Sequence, residues 1–205
     1  VSRLVTYDEC LKLPYLQAVI KEALRLHPGI GFPFERFAPA GGANVLGIHY
    51  PAGTIVGVNA HVIHRNKEVF GEDADEFRPE RWIDSDPEQV KLMDRCWLVV
   101  STPTAPVLTL RSRTEADTCT LQFGYGVRTC VGKNISIMEI GKLVPQVLRE
   151  FDVEWASDKP EWETRCYWQH KQWGLIVKLR SKTKNEGGML NGGHDLQGRP
   201  AIVSM

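Results

Sequence analysis

The sequence predicts a mainly α fold with small β-sheets, an α+β arrangement, and three observations carry that expectation. Two long stretches, 8–27 and 132–150, repeat apolar residues at helical spacing. Between them, short apolar runs are cut by glycine and proline and are too brief for helices. After the second stretch, residues alternate in the two-residue period of strands.

The first stretch places Leu16, Val19, Ile20, Ala23 and Leu26 on one face. Pro14 suits a first helical turn, and His27-Pro28-Gly29 ends the run. From 30 to 60, Leu46-Gly47-Ile48-His49-Tyr50 and Thr54-Ile55-Val56-Gly57-Val58 flank Pro51-Ala52-Gly53, which predicts a hairpin. A short helix is expected over 59–65. Residues 66–122 hold no lasting period and read as an irregular meander. In the second helical stretch, Ile137, Ile140, Val144, Val147, Leu148 and Phe151 form the apolar stripe, and Pro145 is expected to kink or strain one turn. Val153 and Trp155, then Leu175, Val177 and Leu179, suggest strands in 151–180. The glycine-rich remainder, 181–205, reads as a disordered tail.

Composition bounds the function. The chain has 205 residues, 42% apolar and 24% charged, with zero formal net charge, so nothing points to nucleic acid. No stretch approaches the roughly eighteen apolar residues of a membrane span, and Val1-Ser2-Arg3-Leu4 is not a targeting segment. Five cysteines at scattered spacing argue against a disulfide framework and for a reducing compartment.

One cysteine stands apart. Cys130 lies in Phe123-Gly124-Tyr125-Gly126-Val127-Arg128-Thr129-Cys130-Val131-Gly132, directly before the second helix. A thiolate is favoured where backbone N–H groups and the positive end of a helix dipole converge. Gly124, Gly126 and Gly132 let the backbone turn tightly against a flat partner, and Arg128 adds a permanent cation. A phosphate loop is a poor match: Gly126 and Gly132 are separated by five residues where that motif has four, and Lys133 is followed by Asn134. A dinucleotide fingerprint would need glycine where Thr129 stands, and a zinc site would want a Cys-x-x-Cys pair, which is absent. Taken alone, the run leaves a buried structural cysteine open. Haem fits the combination, because a cysteine thiolate is one of the known axial ligands of haem iron.

A second constellation is ionic. Glu22 and Arg25 lie three apart on the first helix, and Phe77-Arg78-Pro79-Glu80-Arg81-Trp82 supplies another arginine in a proline-fixed segment. A carboxylate held between two arginines survives burial when the guanidinium forks satisfy its oxygens. Such a clamp would fasten the meander to the helix, a structural role.

In order, these motifs resemble the C-terminal part of the cytochrome P-450 superfamily of haem-thiolate monooxygenases, over about residues 8–180. Glu22-Ala23-Leu24-Arg25 matches the family's Glu-x-x-Arg, and Pro79 to Trp82 its Pro-Glu-Arg-Trp segment. Phe123, Gly126, Arg128, Cys130 and Gly132 match its Phe-x-x-Gly-x-Arg-x-Cys-x-Gly signature. The wording is most similar to fungal microsomal members related to pisatin demethylase.

The resemblance implies haem b ligated by Cys130, with Arg36, Phe123, Gly124, Arg128, Val131 and Gly132 contacting the cofactor. Arg36 and Arg128 would pair with haem propionates. It implies NADPH electrons delivered by a reductase, O2, and a small apolar organic substrate. Ile30, Gly31, Phe32, Pro33 and Phe34, with the turn near His170, Lys171 and Gln172, would line the pocket. Lys133 and Lys142 would help an acidic reductase dock. His61 and His64 are read as structural rather than as ligands. Full-length relatives would sit at the endoplasmic reticulum membrane with a cytosolic catalytic domain.

The expected domain is 1–180, a partial one, because the family's membrane anchor and oxygen-activating helix precede the first helix seen here. Residues 97–119 look foreign: excising them joins Met93-Asp94-Arg95-Cys96 to Thr120-Leu121-Gln122-Phe123 in a family-like approach. Two other functions stay open, a haem-thiolate isomerase or dehydratase without O2 activation, and a non-catalytic remnant without haem.

Overall fold

The computed structural model describes residues 4–97 and 130–182, together with the backbone of 202–204. Helix α1, Tyr7–Leu11, opens on a capping box in which Thr6 and Glu9 satisfy each other's backbone amides. Helix α2, Pro14–Leu26, follows after a break. The expected single helix over 8–27 is therefore two. Proline lacks an N–H and crowds the carbonyl four residues earlier, so Pro14 starts a helix and stops the one before it.

The hairpin expected around Pro51-Ala52-Gly53 is also corrected. Its two strands exist, but each pairs elsewhere. β1, Phe34–Phe37, pairs antiparallel with β4, Ile55–Val58, and β2, Ala43–Val45, pairs with β3, Ile48–Tyr50. The tight turn is Leu46-Gly47, with φ of 54° and 80°. Positive φ at both central residues suits the right-handed twist of a two-residue hairpin. Leucine rarely adopts it, which hid the turn from sequence reading. Pro51-Ala52-Gly53 instead bends the chain out of β3, and Ala38 extends the β1–β4 ladder through bonds with Gly53 and Thr54.

Three short helices come next: α3, Ala60–Ile63; α4, Lys67–Phe70; and α5, Arg81–Asp84. Asn59 caps α3 and Asn66 caps α4 through their side-chain oxygens. Helix α6, Pro87–Trp97, corrects the reading of 66–122 as an irregular meander. Its start was marked by Asp86-Pro87: the Asp86 carboxylate accepts from the Glu88 amide at 2.8 Å. Val90, Met93 and Trp97 recur at helical spacing, diluted by Lys91, Asp94 and Arg95.

The core gathers Ala18, Val69, Phe70, Ala74, Trp82, Met93 and Trp97 from α2, α4, α5, α6 and the intervening loop. Trp97, grouped in the sequence with the foreign stretch, is 5% exposed and its ring lies 5.8 Å from that of Trp82. Residues 98–119 lie outside the described residues. Lys21 sits over both rings, at 5.0 and 5.8 Å, and bonds Asp94 at 2.7 Å. The buried face of α2 is not the expected apolar stripe. Ala18, Glu22 and Arg25 are buried, Leu16, Val19, Ile20 and Leu26 are half-buried, and Ala23 is exposed.

Helix α7, Lys133–Glu150, runs through Pro145. It leads into β5, Phe151–Trp155, which pairs with β8, Ile176–Ser181. Between them β6, Glu163–Cys166, and β7, His170–Trp173, form a hairpin. β9, Ile202–Ser204, pairs with the outer side of β8. Within 181–205, read from the sequence as a disordered tail, Ser181 ends β8 opposite Phe151 of β5, and the backbone of 202–204 pairs with β8.

Gly141 is the one fully buried residue of α7 and packs against α1. A Cβ built there falls 2.7 Å from the buried Cys10 sulfur. Gly141→Ala is expected to destabilise the protein by about 1–3 kcal/mol through overpacking. Urea titration measures it, and Cys10→Ala in the same chain should recover much of the loss. Additive losses in the double variant would show that the contact is not responsible.

Candidate functional site

Two structural features position the chemistry: a buried ionic clamp and the free thiol at the head of α7. The clamp centres on Glu22. Its Oε1 accepts from Arg25 Nη2 at 2.9 Å, Arg81 Nε at 2.8 Å and the Arg78 amide at 3.0 Å. Its Oε2 accepts from Arg25 Nε and Trp82 Nε1, both at 2.9 Å. The Glu22 and Arg25 side chains are 0% exposed. Burial opposes the carboxylate's charge, but the bonds from Arg25, the Arg78 amide and Arg81 outweigh it and hold the group below the usual carboxylate range. A carboxylate so occupied is no proton shuttle. It is a structural anchor.

The arginines spend their remaining donors on backbone. Arg25 Nη1 donates to the carbonyls of His64 and Ala74 at 2.6 and 2.5 Å, and Nη2 to Glu76 at 3.1 Å. Arg81 reaches the carbonyls of Phe70, Asp73 and Glu76 at 2.5, 2.9 and 3.2 Å, and the Asp73 carboxylate at 3.1 Å. The irregular chain from 64 to 76 exposes few partners for its own carbonyls, so the forks complete it. Asp73 also meets Arg78 at 2.8 Å.

Sequence reading found Glu22, Arg25 and Arg81, named Trp82 only within its motif and His64 only as a structural histidine, and missed Asp73. Trp82 was legible in part, since an indole N–H buried beside a carboxylate seeks it as acceptor. The other two act through contacts 39 and 8 residues apart in sequence, to Arg25 and Arg81, which no local pattern marks. His64 is fully buried, its Nδ1 3.1 Å from the Arg25 carbonyl, and His61 bonds Arg65 at 2.9 Å. Both have hydrogen-bond partners within the fold.

Cys130 is exposed and free, and its carbonyl accepts from the Lys133 amide at 3.3 Å in the turn that starts α7. Beside it Val131 is fully exposed, and Gly132 forms the helix N-cap with no side chain of its own. A Cβ at Gly132 would lie 3.8 Å from the Cys130 sulfur, an ordinary contact. Burial pushes the Cys10 and Cys96 thiols up, which disfavours their thiolates. Among the described residues no group of three His, Cys, Asp or Glu side chains could hold a metal ion. Phe123, Gly124 and Arg128 lie outside the described residues. Arg36 is half-buried on β1, with Nη1 bonded to the Glu35 carbonyl at 2.7 Å.

The two expected pocket edges meet. The Gly31 amide donates to the Trp168 carbonyl and the His170 amide to the Gly29 carbonyl, both at 3.1 Å, and Ile30 bridges Gln169. The rings of Phe32 and Trp168 stack at 5.7 Å while remaining 47% and 63% exposed. At Gly31 a Cβ would overlap the Cys166 sulfur, so only glycine admits the hairpin this closely.

An α+β fold with a buried Glu–Arg–Arg clamp and a free cysteine at a helix head defines a narrow class. A family model for Cytochrome P450 matches residues 2–175. The chain belongs to that family. It is 39% identical over 186 residues to Cytochrome P450 monooxygenase mpaDE of Penicillium roqueforti (strain FM164), covering 91% of this chain and 19% of that protein. It is 39% identical to Pisatin demethylase of Fusarium vanettenii over 86% of this chain and 29% of that one. It is 42% identical to Cytochrome P450 monooxygenase ACRTS1 of Alternaria alternata, over 87% and 41% respectively. The chain therefore spans well under half the length of these relatives. No helix among the described residues is long and apolar enough to cross a membrane.

Proposed function

We propose that this chain carries the thiolate-bearing part of a haem-thiolate monooxygenase acting on a small apolar organic substrate. The observation that supports it most is the free, exposed thiol of Cys130 at the head of α7, in a chain of this family. The donor set fits haem. A single soft sulfur stands beside an exposed Val131 and a glycine, which together offer a flat partner both a ligand and an apolar face. Cys130 would hold the iron, with Phe123, Gly124, Val131 and Gly132 against the ring and Arg36 and Arg128 on its acidic substituents.

When bound, haem b supplies the oxidative chemistry: with two electrons from NADPH through a reductase, one atom of O2 enters the substrate and the other leaves as water. This chain's share is to hold and orient. The 30–34 segment and the β6–β7 hairpin would exclude water from the substrate's side and present apolar surface. Lys133 and Lys142 would offer cations to an acidic reductase. The Glu22 clamp ties α2 to α5 and, through Arg81, to the end of α4.

The test is spectroscopic. The chain supplied with haem, reduced and exposed to carbon monoxide should show a strongly red-shifted Soret band, lost in Cys130→Ser. Haem uptake with an unshifted band, or a shifted band that survives the substitution, would remove Cys130 as the ligand.

A further inference from the structure

Three imidazoles meet where the β6–β7 hairpin docks. His27 closes the C-terminal end of α2, His61 lies on α3, and His170 opens β7. The His170 ring stands 5.5 Å from that of His27 and 5.6 Å from that of His61. Its Nδ1 lies 2.6 Å from the Pro28 carbonyl, so that nitrogen carries the proton. At His61 the polarity is opposite. Arg65 Nη1 donates to His61 Nδ1 at 2.9 Å, which requires an unprotonated nitrogen there. His27 Nε2 is buried with no hydrogen-bond partner among the described residues.

The charged groups acting on this cluster come from every element packed on it. Arg65, after α3, bonds the Leu26 carbonyl at 2.9 Å and faces both His27 and His61. Asp75, in the loop after α4, is engaged by Arg65 at 3.2 Å and is itself 70% exposed. A proton added to His61 would turn an acceptor into a second donor facing a guanidinium. A proton added to His27 would place a cation against Arg65 with nothing to receive it. Asp75, already paired and largely in solvent, offsets little of that repulsion.

We propose that His27, His61 and His170 are positioning residues that latch the β6–β7 hairpin to the 28–34 segment, and that proton uptake by His27 and His61 releases it. Burial, joined by the positive neighbours, holds His27 and His61 below the ordinary histidine value. The latch is therefore closed at neutral pH and opens on the acid side of about 6.5. The parts released are the Gly31–Trp168 and His170–Gly29 backbone bonds and the Phe32–Trp168 stack. The consequence for substrate rests on the pocket reading above: the wall built from these segments would loosen in acid.

Amide hydrogen exchange on the full 205-residue chain tests this without haem or substrate. Rates are compared at about pH 7.5 and about pH 5, each corrected for intrinsic exchange. The Gly31 and His170 amides are expected to lose about tenfold or more of their protection in acid beyond whatever loss the β1–β4 ladder and α6 share through global destabilisation. In His27→Gln/His61→Gln the two amides should show no such excess at either pH value. Unchanged protection in the wild-type chain, a parallel loss across the whole fold, or the same loss in the variant would each overturn the latch. Failure here leaves the carbon monoxide result untouched, and the converse holds.

Discussion

Glu22→Ala is expected to cost about 3–5 kcal/mol, because it leaves two arginines and an indole N–H buried without their acceptor. Domains of ordinary stability hold about 5–15 kcal/mol in total, so the variant should unfold at low urea or fail to accumulate folded. The direction follows from the asymmetry of buried charge. A well-paired ion contributes modestly, whereas an orphaned one is penalised in full. Glu22→Gln keeps the shape but turns an amide NH2 towards donors already crowding the site, and should fall between wild type and alanine. The contrast is Glu72→Ala. Glu72 pairs with Lys67 across a largely exposed surface, and its loss should leave the urea midpoint unmoved. A Glu22→Ala protein with a wild-type midpoint would show that the clamp does not hold the frame.

The second large effect is acid destabilisation through His64. Burial, with the nearby Arg25 charge, lowers its folded-state value from 6.5 to about 4, against the opposing pull of the Arg25 carbonyl bond. Its Nε2 has no partner among the described residues, so a proton there would be stranded. The unfolded chain binds that proton near pH 6.5 and the folded chain only near 4. Stability is thus full above about 6.5, falls as pH descends, and stops falling from this cause below about 4. At roughly 1.4 kcal/mol per pH unit the loss is about 3 kcal/mol. Urea midpoints across that window measure it. His64→Gln should be less stable at neutral pH yet lose about 3 kcal/mol less on acidification. The shares of His27 and His61 would remain. An unchanged pH slope in the variant would assign the acid loss elsewhere.

How much was legible depended on how far each contact reaches along the chain. Glu22 and Arg25 sit one helical turn apart, and Arg81 lies in a segment whose proline and aromatic neighbours restrict it, so the clamp could be named before it was seen. Cys130 could be named too, since the glycines, the arginine and the helix that follow or precede it are all within a dozen residues. The partners that complete these sites were legible only in part for Trp82 and not as clamp members for the rest. Trp82 and Asp73 enter the clamp, and His64 packs against it, because distant loops fold over α2.

Strand pairing shows the same limit. The strand at 55–58 was visible from its composition, but its partner β1 is reached only because a positive-φ Leu46-Gly47 turn consumes β2 and β3 first. Helix α6 was hidden by four charged residues within it, two of them lying between the core side chains Met93 and Trp97. Likewise the expected apolar face of α2 gave way to an ionic one, because five hydrogen bonds made burying Glu22 favourable.

By itself, then, the sequence determined the class: an α+β chain of the cytochrome P450 family, with its thiol at Cys130 and its clamp at Glu22, Arg25 and Arg81. Those features depend on residue chemistry at short, fixed spacing, which a linear chain displays directly. The tertiary structure alone decided which strands pair, what completes the clamp, and that His27, His61 and His170 touch. Such contacts join residues as many as 143 positions apart, as from His27 to His170. They exist because packing and hydrogen-bond satisfaction choose among pairings that every local pattern leaves equally available.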